Sequence, residues 1–137
     1  MINIRPIEKE EYSFLDAMLY LALFVPEGNE PFAKEILLLP EIAKYTKGFG
    51  QKNDYGLVAV ENETLVGAIW ARLFNESEKG YGWVDNLTPE LSMAVIESHR
   101  GLGIGKKLLL SLISELKMFK AQKISLSVDK RNGAFQL

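Results

Sequence analysis

The chain has 137 residues, 47% of them apolar and 25% charged, with a formal net charge of −2. This length predicts one domain around a single core, and the weak negative charge argues against nucleic acid or an anionic membrane as a partner. The absence of cysteine excludes disulfides, thiolate metal sites and a cysteine nucleophile, and a single histidine excludes a multi-histidine metal site.

Targeting and membrane segments are not predicted. The longest apolar stretch, residues 14–25, is interrupted by Asp16 and is shorter than the ~20 residues that span a bilayer. The N-terminal residues 1–6 lack the charged start and long apolar run of a signal peptide. We therefore expect a cytoplasmic protein.

The first part of the chain predicts a short strand and then helices. Residues 2–5 alternate in polarity and stop at Pro6, as a short strand does. Apolar residues then recur with helical spacing on one side of the chain until Pro26. The predicted helices cover residues 8–24, 31–39 and 41–47.

The middle of the chain changes to the period of β-structure. Residues 55–60 and 65–74 are rich in β-forming side chains and are separated by the polar residues 61–64, which predicts an antiparallel hairpin. Residues 75–89 are polar and contain two glycines, which predicts a loop or a loosely paired extension of the hairpin. The nearly continuous apolar run at 91–96 is typical of a central strand that is buried on both faces.

A strand–helix–strand unit closes the chain. Leu109, Leu112, Ile113 and Leu116 take i, i+3, i+4 and i+7 positions of a helix, and residues 124–128 alternate as a strand. Two strands joined through one helix are parallel with a right-handed crossover. Together with the hairpin, this unit predicts a mixed sheet.

A glycine-rich turn lies between the buried strand and that helix. Gly101, Gly103 and Gly105 lack Cβ atoms, so their N–H groups can approach a ligand closely. The N-terminus of a helix has N–H groups without internal partners and a dipole that favours anions. Arg100 and Lys106 add positive charge. This arrangement predicts a phosphate-binding site.

Two other glycine-rich phosphate loops fit the turn less well. A P-loop requires glycine where Arg100 stands and serine or threonine where Lys107 stands. The dinucleotide fingerprint requires its third glycine where Lys106 stands, and it lies near the start of a parallel sheet instead of after a hairpin.

These residues resemble those of the GNAT (GCN5-related N-acetyltransferase) family. The family's coenzyme A signature, Gln/Arg-x-x-Gly-x-Gly/Ala, is matched by residues 100–105. Residues 89–95 resemble the family's fourth strand, and residues 124–132 resemble its fifth strand and the following loop. The resemblance is strong over residues 89–137, fair over 55–74 and weak over 6–50.

The resemblance implies an α/β (α+β) fold with a mixed central β-sheet flanked by helices on both faces. It also implies that acetyl-CoA is the co-substrate and that no metal is used. The pantetheine arm would pair, like an added strand, with the backbone of Met93, Ala94 and Val95. The pyrophosphate would be held by Arg100, Gly101, Leu102, Gly103, Ile104, Gly105 and Lys106. Asn132 would contact the cofactor near its thioester.

The implied reaction moves an acetyl group to a primary amine, which must lose a proton before it attacks. Glu90, at the start of the fourth strand, is the candidate base, directly or through water; its alternative role is an exposed strand-start carboxylate. Asp85 is a weaker candidate. A backbone N–H of the fourth strand could stabilise the oxyanion.

Other side chains near the turn have simpler roles. His99 precedes the arginine at a position where the family tolerates tyrosine or histidine, so we expect packing or solvent contact instead of catalysis. Phe74, Tyr81 and Trp83 would line an acceptor pocket or pack against the hairpin. The acceptor is a small-molecule or peptide amine that the sequence does not specify, and the resemblance is compatible with a homodimer.

The resemblance departs from the family at the last residues. The family motif Asn-x-Ala-x-x-Leu-Tyr, whose tyrosine is the usual general acid, is matched by residues 132–137 up to the residue before the tyrosine. We expect a single domain over residues 1–137 that is truncated at its C-terminus; a partner that supplies the rest, or a remnant, are the alternatives. A non-catalytic CoA-binding module is the alternative function, and a nucleotide-phosphate binder is a distant third.

Overall fold

The computed structural model describes residues 1–23, 33–51, 54–74, 89–118 and 125–126. Within them the chain forms five strands and three α-helices, with short 3-10 helices between them. The strands are β1 Ile2–Pro6, β2 Tyr55–Glu61, β3 Thr64–Arg72, β4 Glu90–Val95 and β5 Ser125–Leu126. The α-helices are α1 Tyr12–Ala22, α2 Pro40–Ala43 and α3 Ile104–Met118.

The strands form one mixed sheet in the order β1-β2-β3-β4-β5. The first four are antiparallel to their neighbours, and β5 is parallel to β4. The hairpin and the strand–helix–strand unit predicted from the sequence are therefore confirmed. The described β4–β5 ladder pairs Glu90 with Ser125 and Leu91 with Leu126.

The hairpin turn is tighter than the sequence predicts. Strands β2 and β3 continue through Glu61 and Thr64, so that only Asn62 and Glu63 remain in the turn. Both turn residues have positive φ, 49° and 68°, which is the conformation of a two-residue turn whose twist matches that of the strands.

Helices cover both faces of the sheet, as expected. One core cluster joins Leu91, Met93 and Val95 of β4 to Leu108 and Leu112 of α3. The other joins the opposite face of the sheet to α1; it contains Leu15, Met18, Leu19, Ile42, Tyr45, Val58, Ala68, Trp70, Phe74 and Ala94. Successive β4 side chains alternate between the two clusters, which explains the continuous apolar run in the sequence.

The helices in the first part of the chain are shorter than the sequence predicts. The predicted helix at 8–24 begins as a 3-10 turn, Lys9–Glu11, and α1 follows to Ala22. The helix predicted at 31–39 is, within the described residues, a 3-10 helix at Lys34–Leu38, because Leu39 is extended before Pro40. A single turn, α2, replaces the helix predicted at 41–47.

An ion pair fixes the connection between β1 and α1. Both guanidinium Nη atoms of Arg5 donate to the Glu11 carboxylate, at 2.8 and 2.7 Å, and the Glu8 N–H donates to the same carboxylate at 3.0 Å. The hydrogen bonds from Arg5 lower the pKa of Glu11 from 4.5 to about 2, against a smaller opposing effect of burial.

Several predicted features fall outside the described residues. They are residues 75–88 of the predicted loop, the ends of the predicted fifth strand, and residues 127–137. In the described part of the chain, no helix is both long and apolar enough to cross a membrane.

Candidate functional site

The turn between β4 and α3 has the backbone that its glycines predict. Gly101 and Gly103 have φ of +80° and +81°, in the left-handed region that other residues avoid. A Cβ atom built on either glycine would meet no atom within 4 Å, so the space beside both is open. The N–H groups of residues 104–106 precede the first hydrogen bond of α3, which the Lys107 N–H donates to the Gly103 carbonyl at 3.1 Å.

Arg100 is anchored to the strand that precedes the turn. Its Nε donates to the Val95 carbonyl at 3.0 Å. This bond uses one of the five guanidinium N–H donors and leaves four on the two Nη groups. The side chain therefore ties the turn to β4 and still has donors for an anionic ligand.

The backbone groups of β4 divide between two neighbours. The Ile96 N–H donates to the Val66 carbonyl at 2.9 Å, on the side of β3. Because successive residues of a strand point their polar groups to opposite edges, those of Ala94 also face β3. The polar groups of Met93 and Val95 face the other edge, where the described pairing with β5 extends only to Leu91.

Glu90 is buried, with 3% of its surface exposed, and it lies on the face of the sheet that α1 covers. The Tyr45 hydroxyl donates to Glu90 Oε1 at 3.1 Å. A buried carboxylate is costly unless it is hydrogen-bonded, and this phenol supplies one such bond. The alternative role of Glu90, an exposed carboxylate at a strand start, is therefore wrong.

Tyr45 itself is held by the sheet. Trp70 Nε1 donates to the Tyr45 carbonyl at 2.9 Å. Arg72 Nη1 donates to the carbonyls of Lys44 and Lys47 at 3.1 and 2.7 Å. Arg72 Nε also donates to Asp54 at 3.0 Å. The segment 44–47 is therefore attached to β3 through its backbone.

A cleft of about 350 Å³ opens between this segment and the end of β3. Phe74, in its wall, packs edge-on against the Tyr45 ring with 5.3 Å between centroids. The cleft therefore lies next to the Glu90–Tyr45 pair. The described residues that line it are Leu38, Pro40, Ala43, Lys44, Lys47, Arg72, Leu73 and Phe74.

His99 links the β2–β3 turn to the segment before Arg100. Its Nε2 lies 3.0 Å from Glu61 Oε1 and its Nδ1 lies 2.8 Å from Ser98 Oγ. The hydrogen bond to His99 lowers the pKa of the Glu61 carboxyl. This position agrees with a structural role for His99, because its ring is used in contacts within the protein.

The structure brings together most of the residues that the sequence singled out. Met93, Ala94, Val95 and Arg100 to Lys106 form one continuous strand edge and turn, with Glu90 at the far end of the strand. Asp85, Tyr81, Trp83 and Asn132 lie outside the described residues. Among the described residues, no group of three or more metal-ligating side chains occurs.

The role of Tyr45 was not predicted from the sequence. It lies 45 residues before Glu90 in the chain, and no local pattern relates the two. The alternation of β3 places Trp70 and Arg72 on one face of the sheet. The groups that they bind could not be predicted, because both side chains donate to backbone carbonyls, which every residue has.

The chain belongs to the acetyltransferase (GNAT) family. The family model matches residues 12–135, which includes the hairpin, β4, the glycine turn and α3. The predicted family membership is confirmed. No curated protein matches the sequence.

Solved structures with the same fold include acetyltransferases that were crystallised with the cofactor. A predicted acetyltransferase from Clostridium acetobutylicum with acetyl-CoA has 21% identity and a TM-score of 0.68, covering 95% of this chain and 82% of that one. A GNAT family acetyltransferase from Brucella melitensis in complex with acetyl-CoA has 20% identity and a TM-score of 0.62, covering 96% and 78%. The aminoglycoside N-acetyltransferase AAC(6')-Iy, in complex with a bisubstrate analog, has 12% identity and a TM-score of 0.59, covering 96% and 82%. These likenesses confirm the fold class.

Proposed function

We propose that this protein transfers the acetyl group of acetyl-CoA to a primary amine by direct attack on the thioester. The observation that carries the proposal is the β4–turn–α3 unit, in which two left-handed glycines with open space beside them precede the first N–H groups of a long helix. An anion would fit this space, and family membership favours the pyrophosphate of coenzyme A as that anion. A cytoplasmic location is part of the proposal.

Two parts of the protein would bind two parts of the cofactor: the glycine turn would bind the pyrophosphate, and the edge of β4 would bind the pantetheine arm. The pyrophosphate would lie on residues 101–106, with the Nη groups of Arg100 beside it. The pantetheine arm would pair with the strand edge of Met93 and Val95, whose polar groups face away from β3. Ala94 would contribute through its place in the strand, because its own polar groups face β3. Asn132 remains proposed for the thioester end.

Glu90 is proposed as the base. The amine has to lose a proton to expose its lone pair, and a buried carboxylate beside a cleft can accept that proton directly or through one water. The Tyr45 hydroxyl holds Oε1 in place, which orients the carboxylate.

The strand edge would stabilise the charge that forms on the substrate. As the amine nitrogen bonds to the carbonyl carbon, the carbonyl oxygen becomes an oxyanion, for which a β4 N–H is the proposed donor. The C–S bond then breaks, coenzyme A leaves as a thiolate, and a proton converts it to the thiol. The products are an N-acetyl amine and coenzyme A.

Cofactor choice is tested by equilibrium titration of the protein with acetyl-CoA, ATP and NAD. We expect selective binding of acetyl-CoA and a rise in melting temperature, since a ligand at about 100 times its Kd stabilises the folded state by about 2.7 kcal/mol. Equal binding of all three ligands, or no binding of acetyl-CoA, would contradict the proposal.

Transfer is tested by thiol release from acetyl-CoA with a panel of primary amines. We expect amine-dependent thiol release, with the N-acetyl product identified by mass spectrometry. Binding of acetyl-CoA without release for any amine would instead indicate a CoA-binding module.

A further inference from the structure

The cleft beside Glu90 is rich in basic side chains. Among the lining residues that the structure describes, Lys44, Lys47 and Arg72 are basic and none is acidic. The whole chain has a net charge of −2, so this concentration of positive charge differs from the average of the molecule. A cleft lined by one sign of charge raises the local concentration of ligands of the opposite sign.

The three basic residues do not serve the same purpose. Arg72 is paired with Asp54 at 3.0 Å and holds the carbonyls of residues 44 and 47, so its charge is used within the fold. Lys47 is exposed and forms no ion pair with any residue that the structure describes. No described acidic group therefore neutralises its ammonium group, which lines the cleft.

Lys44 lines the cleft and lies beside two aromatic rings. Its Nζ is 6.0 Å from the centroid of the Tyr45 ring and 5.9 Å from that of Phe74. The Tyr45 ring carries the hydroxyl that binds Glu90, and the Phe74 ring packs against it. A cation at this place repels a second positive charge that enters the cleft and attracts a negative one.

We propose that the acceptor is a small primary amine that also carries a carboxylate or phosphate group, with this anion bound at Lys47 and Lys44 and the amine directed to Glu90. The proposal rests on the acetyltransferase function above. The cleft volume of about 350 Å³ is within the range of small-molecule sites, which favours a small acceptor over a polymer. Acceptors with several ammonium groups, such as aminoglycosides, are disfavoured by the same charges.

The test uses ω-amino carboxylates of increasing chain length, the ω-amino amides that match them in shape, aminoalkyl phosphates, and diamines. Binding to the protein, alone and saturated with coenzyme A, is measured by NMR or calorimetry, and turnover by thiol release. We expect a carboxylate or a phosphate to bind about tenfold more tightly than the neutral amide of the same length, and diamines to bind least. The preference weakens as salt is added.

The variants Lys47→Gln and Lys44→Gln, separately and together, should remove most of this preference and leave the affinity for acetyl-CoA unchanged. Lys9→Gln, an exposed lysine on the 3-10 helix before α1, is the matched control and keeps the preference. The series that binds more tightly, carboxylates or phosphates, identifies the anionic group of the preferred acceptor.

Equal binding of carboxylates and amides, or a preference that survives both lysine substitutions, would overturn the inference while leaving the acetyltransferase proposal intact. Failure of acetyl-CoA to bind would overturn the acetyltransferase proposal. In that case the binding measurements on the protein alone still decide whether the cleft prefers anions.

Discussion

At the start of β4 a carboxylate, a phenol and a lysine lie within one short stretch of the α1 face. Glu90 is 3% exposed and accepts from Tyr45, whose ring lies under the Lys44 ammonium. Each side chain restricts the next, because the phenol cannot move without releasing the carboxylate. A base in such a site is oriented before the substrate arrives, which is the condition for efficient proton transfer.

Replacement of Glu90, the proposed base, gives the first prediction. Glu90→Gln keeps the shape of the side chain and removes its capacity to accept a proton. We expect kcat to fall by roughly a hundredfold to ten-thousandfold and the acidic limb of the pH–rate profile to flatten. The Kd of acetyl-CoA, measured by titration, should not change. Tyr45→Phe, which removes the hydrogen bond to Oε1 and keeps the carboxylate, should have a smaller effect. An unchanged rate and profile in Glu90→Gln would exclude Glu90 from the mechanism.

Backbone conformation gives the second prediction, at Gly103. Its φ of +81° is strained for a residue with a Cβ atom, although the space beside it is open. Gly103→Ala should lower the free energy of unfolding by about 1–2 kcal/mol and weaken acetyl-CoA binding. Gly103→Asn is the control, because asparagine tolerates the left-handed region better than alanine does. If alanine and asparagine weaken binding equally, contact with the ligand and not backbone strain explains the loss.

Between β1 and α1, the paired Arg5 and Glu11 give a prediction about pH. The folded-state pKa of Glu11 is about 2 against an ordinary 4.5, so its contribution to stability is complete above pH 4.5 and is lost as the pH falls towards 2. The two side chains are 37% and 16% exposed, so we discount the shift for solvent screening and expect about 1 kcal/mol from this bidentate pair.

This contribution is measured by urea unfolding of the wild type and Glu11→Gln across that pH range. The difference in unfolding free energy should be present at neutral pH and should shrink below pH 4.5. Glu35→Gln, which changes an exposed carboxylate on the 3-10 helix Lys34–Leu38, should show no such difference. A constant difference at every pH would show that the side-chain charge is not its source.

The elements that the sequence predicted well are those whose pattern is local. The hairpin, β4, the glycine turn and α3 each carry a period or a turn signal within their own residues. Residues 31–47 were harder to predict, because apolar residues there suggest long helices while Leu39, extended before Pro40, interrupts them. The Tyr45–Glu90 contact could not be predicted, because it depends on how α2 lies on the sheet.

For the whole molecule, only one of the two core clusters includes the helix that begins at the proposed cofactor site. Leu108 of α3 and Leu15 of α1 are both fully buried, on opposite faces of the sheet. Either change to alanine should lower the free energy of unfolding by about 2–5 kcal/mol. Only Leu108→Ala should also weaken acetyl-CoA binding, because α3 begins at the glycine turn.

Calorimetric unfolding and acetyl-CoA titration of both variants check this expectation. Leu15→Ala controls for the loss of stability alone. Equal losses of acetyl-CoA affinity in the two variants would mean that binding depends on overall stability and not on the position of α3.

The way in which segment 44–47 is attached to the sheet has a consequence for how this protein could change its acceptor. Trp70 and Arg72 bind the carbonyls of residues 44, 45 and 47, and every amino acid has a carbonyl. The side chains at positions 44 and 47 can therefore be exchanged without loss of these bonds. Mutational libraries restricted to these two positions would vary the proposed acceptor site on an unchanged scaffold.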